Sequence, residues 1–197
     1  MNISADDVKK LREMTNAGVM DCKKALNETK GDVEAAIEYL RKKGIASAGK
    51  RVGRETKEGL IHTYIHPGSR LGVMVEINCE TDFVAKTPDF QDFTKNIAMQ
   101  IAATNPRVIQ REELSQDVID HEMSIYQSQV ESQNKPAEIA KKIALGKMEK
   151  FYQEVCLLEQ SYIKDPNKTI EELLKELIGK IGENISIRRF ARFELGG

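Results

Sequence analysis

The chain has 197 residues, 40% hydrophobic and 31% charged, with a net charge of −1. That profile excludes a disordered chain, and the length suffices for one sizeable core or a small module plus a main domain. No apolar run approaches the ~20 residues of a bilayer crossing. The charged start, MNISADDVKKLREM, lacks the apolar core of a secretory signal, so a soluble cytoplasmic protein without membrane contact is expected.

The charge is uneven. Residues 1–57 hold 13 Lys/Arg against 9 Asp/Glu, net +4, and the rest 17 against 22, net −5. This contrast is too modest for a dedicated nucleic-acid binder. Cys22, Cys79 and Cys156 are odd in number and far apart, which fits neither a disulfide framework nor a zinc knuckle.

In chain order, residues 4–43 predict three short helices. Ser4 suits the first cap, with Asp6 and Asp7 in the first turn. TNAGV breaks the pattern before a second helix with MDCKKAL. Gly31 suits a helix end and Asp32 the next cap. Val33, Ala36, Ile37 and Leu40 then form one apolar face. Such a bundle lies near the lower size limit of independent stability. Residues 44–58, small, glycine-containing and basic, read as a linker.

GLIHTYIH and LGVMVEIN predict a hairpin around PGSR, with Leu71, Val73, Val75 and Ile77 alternating. Thr87 and Pro88 open a helix whose Phe90, Phe93, Ile97 and Ile101 share a face, and Asn105-Pro106 ends it. Helices are expected near 112–132, 136–152 and 169–180, and NISIRRFARFEL as a last strand beside the hairpin. The fold class is α+β: a helical module at 1–43, a basic linker at 44–58, and at 59–197 a core of small antiparallel sheet packed with helices.

Tests for chemistry come out negative. Gly44 to Lys50 matches half of a phosphate-binding loop, but Arg51 replaces the magnesium-ligating hydroxyl and a helix precedes it. His62 and His66, four residues apart on a strand, stand about 13 Å apart, too far for one metal. Glu80 and Asp82 are too few ligands for a divalent cation. No nucleophile triad or dinucleotide fingerprint is present. No metal, cofactor or catalytic residue is expected. Phe83, behind Asp82 on the sheet-to-helix connection, has two readings: folded back on the sheet edge, or exposed as an interface anchor.

Longer stretches are recognisable. LREMTNAGVMDCKKALNETKGDVEAAIEYLRKKG resembles the ubiquitin-associated-like N-terminal domain of bacterial elongation factor Ts. VEINCETDFVAKTPDFQDF resembles that family's core, with its Thr-Asp-Phe-Val motif at Thr81, Asp82, Phe83 and Val84. KPAEIAKKIALGKMEKFYQEVCLLEQ and IGENISIRRFARFE resemble its later segments, in order, so the likeness spans essentially the whole chain.

The resemblance implies a guanine-nucleotide exchange factor, not an enzyme, whose partner is elongation factor Tu. By that likeness the N-terminal domain grips the partner's GTPase domain through Leu11, Val19 and Met20. Thr81 to Val84 push in beside the nucleotide site and dislodge magnesium, with Phe83 as the wedge and Asp82 its polar companion. Val19 departs from the family's frequent methionine, and Asn16 from a common glycine, which asparagine tolerates in left-handed turns. One copy of the core, without the coiled-coil insertion of longer members, implies the short form and a homodimer, with ISIRRFARF a candidate pairing edge. The alternative function is a non-enzymatic adaptor that binds a ubiquitin-like or nucleic-acid partner.

Overall fold

The computed structural model describes residues 3–15, 17–49, 51, 53–131 and 136–196. Asn16, and Lys50 of the phosphate-loop fragment, lie outside them. Eight α-helices and a small antiparallel sheet give an α+β fold among the described residues. None of these helices is long and apolar enough to cross a membrane.

The first three helices are α1 (Ala5–Thr15), α2 (Val19–Glu28) and α3 (Val33–Ala48). Ser4 caps α1: its Oγ accepts from the Asp7 amide at 3.1 Å while the Ser4 amide donates back to the Asp7 carboxylate at 3.3 Å, a reciprocal arrangement that satisfies otherwise orphaned donors. After α2 the chain turns through Lys30 and Gly31, at φ 55° and 87°, and the Gly31 amide reaches back to the Leu26 carbonyl at 2.8 Å. Asp32 caps α3 by accepting from the Ala35 amide at 3.0 Å. Val8, Leu11, Cys22, Ala25, Leu26, Ala36 and Leu40 form the shared core, with Val33 and Ile37 packed on it.

The stretch expected as a linker is more structured than its composition suggested. α3 continues through Gly44 to Ala48, which is fully buried. Further on, the Arg54 carbonyl accepts from the Asn184 side chain at 2.8 Å, and the Thr56 and Ser186 hydroxyls meet at 3.0 Å.

The sheet has the order β1 (Glu58–Ile65), β2 (Leu71–Cys79), β5 (Ile185–Glu194), so the last strand flanks the hairpin. Along β2, Val73, Val75, Ile77 and Cys79 are buried, the period-2 outcome of the alternating sequence. A single helical turn, α4 (Asp82–Ala85), separates β2 from α5 (Pro88–Thr104). Thr87 caps α5 through the Phe90 amide at 3.4 Å. Phe90, Phe93, Ile97 and Ile101 are all buried. Asn105 takes φ 48° just before Pro106, a left-handed exit that asparagine accepts.

The helices α6 (Gln116–Glu131) and α7 (Ala137–Val155) follow, then a two-stranded hairpin of β3 (Ser161–Tyr162) and β4 (Asp165–Thr169), and α8 (Ile170–Ile181). Arg111 donates to Glu149 and Glu159 and lies 4.1 Å from the Tyr152 ring centre, beside the cluster of Met148, Phe151, Val155 and Cys156.

The chain divides into two compact units: residues 1–61, 76–94 and 172–187 in one; 62–75, 95–171 and 188–197 in the other. The first therefore gathers the N-terminal helices, the connection after β2 and most of α8.

Candidate functional site

The Thr81–Val84 segment is a capped turn with one side chain left out. Thr81 is extended (φ −129°, ψ 153°), and its Oγ1 accepts from the Val84 amide at 3.5 Å as the N-cap of α4. The turn closes through Lys86 and Thr87 amides onto the Phe83 and Val84 carbonyls. The Thr87 hydroxyl also donates to the Val84 carbonyl at 2.8 Å. Each bond fixes backbone that a short connection would otherwise leave free.

Two residues beyond α8 hold this turn from the side. The Glu183 carboxylate accepts both the Thr81 amide, at 3.0 Å, and the Thr81 hydroxyl, at 2.7 Å. The Asn184 amide donates to Glu80 Oε1 at 2.6 Å, and the Arg54 guanidinium approaches the same oxygen at 3.5 Å. The Cys79 thiol points at the Thr81 carbonyl at 3.1 Å, and burial pushes that thiol up to about 11. It is a packing group, not a nucleophile.

Of the four motif residues, Thr81 is committed to Glu183 and Val84 is buried, while Phe83 is 78% exposed. Phe83 is thus exposed and does not fold back on the sheet edge. The next two residues of the turn, Val84 and Ala85, are buried, so the ring stands out alone from it. Asp82 pairs with Lys86 at 2.6 Å, one helical turn on, and that hydrogen bond holds its carboxyl below the usual range.

Glu80 and Asp82 are thus spent on separate partners. No group of three or more His, Cys, Asp or Glu able to hold a metal occurs among the described residues. His66 lies just past β1, its Nδ1 3.0 Å from the Tyr64 hydroxyl.

At the start of α2, Met20 is 74% exposed and Val19 48%, with Met14 near the end of α1 at 63%. Leu11 departs from expectation. It was placed with Val19 and Met20 on a contact surface, but it is fully buried in the bundle core, so it has no side-chain surface to offer. It lies three residues after Val8, on the inward face of α1.

Sequence reasoning missed Glu183, Asn184 and Arg54 as supports of the turn. Their partners stand up to 104 residues away in the chain, and no local pattern announces such a bond.

The family model described as Elongation factor TS matches residues 3–177. Elongation factor Ts of Syntrophobacter fumaroxidans is 57% identical over 196 residues, covering 100% of this chain and 98% of that protein. That of Moorella thermoacetica is 55% identical over 194 residues, covering 98% and 96%. That of Geobacter sulfurreducens is 53% identical over 196 residues, covering 100% and 91%. With likeness at this level along its whole length, the chain belongs to the elongation factor Ts family of translation elongation factors.

Proposed function

We propose that this chain is a guanine-nucleotide exchange factor that binds elongation factor Tu with GDP bound and speeds GDP release, acting in the cytoplasm. The carrying observation is Phe83: a large aromatic, mostly exposed, on a turn whose backbone is bonded from several directions. An isolated aromatic on a rigid support is the form of an interface hot spot, because little conformational entropy is lost on docking.

The work asked of it is mechanical, with no covalent step and no cofactor. Phe83 enters the partner's GTPase domain beside the nucleotide and displaces the magnesium ion, with Asp82 its polar neighbour. Losing the metal removes the main counter-charge of the diphosphate, and GDP affinity falls. The coupling is reciprocal, so incoming nucleotide weakens the exchange factor's own grip. Thr81 and Val84 serve from behind, as cap and anchor. The N-terminal helices, read as a ubiquitin-associated-like domain, add a second hold through Met20 and Val19. The test is release of fluorescent GDP from elongation factor Tu. Acceleration by sub-stoichiometric chain supports the reading, and unchanged release overturns it.

We also read the chain as a homodimer. β5 is an edge strand, and Phe193, Leu195, Ile65 and Met74 are exposed around a groove of about 450 Å³. A cluster of this kind favours burial against another apolar face. Sedimentation equilibrium should give a dimer that Phe193→Glu converts to monomer. A parent chain still monomeric at about 100 µM, well above the Kd of about 1 µM that about 8 kcal/mol of association gives, would refute this.

A further inference from the structure

We infer that the segment from Gly179 to Asn184 is a strut that holds the two partner-contact elements, the Val19–Met20 end of the helical bundle and the Phe83 turn, at a fixed spacing. Every residue involved belongs to the first compact unit. At one end α8 meets α3 backbone to backbone. A Cβ added at Gly179 would lie 2.7 Å from the Gly44 Cα and carbonyl carbon and 2.8 Å from its oxygen, closer than any side chain tolerates. Only glycine at 179 permits this approach.

The crossing is pinned on both sides. Arg41 of α3 pairs with Glu176 of α8, and Lys180 pairs with Asp89 of α5 at 2.7 Å. Beside the crossing is a cleft of about 180 Å³ whose lining includes Ile37, Leu40, Thr15 and Ala17. Thr15 ends α1 and Ala17 lies just ahead of α2, which opens with Val19 and Met20. At its other end the same segment supplies Glu183 and Asn184, which bond Thr81 and Glu80. One short stretch of chain therefore meets the helical bundle at Gly44 of α3 and bonds the turn that carries Phe83.

The consequence rests on the exchange reading above. Two contacts held at the spacing the partner requires bind as one, because the second contact forms at a high effective concentration once the first is made. Gly179 and Glu183 are positioning residues in this scheme, with different signatures. Gly179→Ala forces α3 off α8 and frees the bundle, which keeps its own core. KM for the partner should rise by about tenfold or more, with the exchange rate at saturation unchanged. Glu183→Gln keeps the docked bundle but loosens the Phe83 turn. The saturated rate should fall by about tenfold, since small misplacement of a working group is costly, with KM unchanged.

Gly44→Ala is the control. Its Cβ meets Gly179 Cα at 3.4 Å, a contact that small adjustment accommodates, so both constants should stay at parent values. A merely structural role for these residues would lower Tm without splitting KM from kcat, and that pattern would overturn the proposal.

A second readout needs no partner. In ¹⁵N relaxation of the free protein, amides of α1–α3 should share the rotational correlation time of those around Thr81, and should tumble faster in Gly179→Ala. If the parent chain releases no GDP, the exchange reading fails while relaxation still decides the strut. If the bundle tumbles independently in the parent, or is unaffected in Gly179→Ala, the strut is wrong whatever the exchange assay gives.

Discussion

Replacing Thr81 by valine removes one oxygen and leaves the shape of the side chain nearly unchanged, so its effect isolates the clamp beneath Phe83. The hydroxyl donates to Glu183 at 2.7 Å and accepts from the Val84 amide at 3.5 Å. A hydrogen bond to a charged acceptor contributes about 1.5–3 kcal/mol. Glu183 keeps the Thr81 amide at 3.0 Å and is only half-buried, so water can take the vacated lone pair and the low end applies. The long cap contact adds about 0.5 kcal/mol at most.

The expected loss is therefore about 1.5–2 kcal/mol, or roughly 3–8 °C in Tm for a chain of this size, by calorimetry. Combining Thr81→Val with Glu183→Gln in a double-mutant cycle should show a coupling of about 1 kcal/mol. A Tm within about 1 °C of the parent, or strictly additive effects, would mean the carboxylate does not hold the turn.

Leu11→Ala should cost about 2–5 kcal/mol, more than a bundle of some 40 residues can spare; amide exchange should become fast across α1–α3 while the remaining helices stay protected, and unchanged protection would return Leu11 to the surface. The Asp82 carboxyl should titrate below an ordinary aspartate by NMR, and Lys86→Ala should move it back up. Because the folded value is depressed, the pair's stabilisation is present above the unfolded pKa and lost as pH falls through the folded one; being solvent-exposed, it should shift Tm little, and a midpoint unmoved by Lys86→Ala would remove the pair.

Where local rules govern, the sequence is legible. Ser4, Asp32 and Thr87 all cap the helices that follow them. The two-residue alternation of β2 and the apolar face of α5 both turn inward, because each needs only its own neighbours to be recognised. The turn at Thr81 to Lys86 was legible only in part. Four helical residues are too few for periodicity, and the bond that holds the turn at Thr81 comes from Glu183, 102 residues further on.

Gly44 misled for a related reason. Glycine reads as a helix breaker, yet α3 runs on through Gly44 to Ala48, and Gly44 lies where α8 comes close at Gly179, a contact that no local pattern announces. The β3–β4 hairpin was missed altogether. Its strands hold Asp165, Pro166 and Asn167, poor strand formers. The Gln100 side chain steadies the region by donating to the Ser161 carbonyl and accepting from the Ile163 amide, bonds that span some sixty residues. Leu11 shows the opposite case: the i, i+3 relation to Val8 was local and readable, and family likeness pointed elsewhere.

The most direct test of the central claim is release of fluorescent GDP from elongation factor Tu by saturating Phe83→Ala, beside the parent chain. The ring is 78% exposed, so the variant should keep the parent's Tm, as substitutions at exposed positions generally do. The account predicts that the saturated release rate falls by at least about tenfold. Release as fast as the parent's would contradict it and assign nucleotide displacement to another element; no acceleration by the parent chain would leave the adaptor reading in its place.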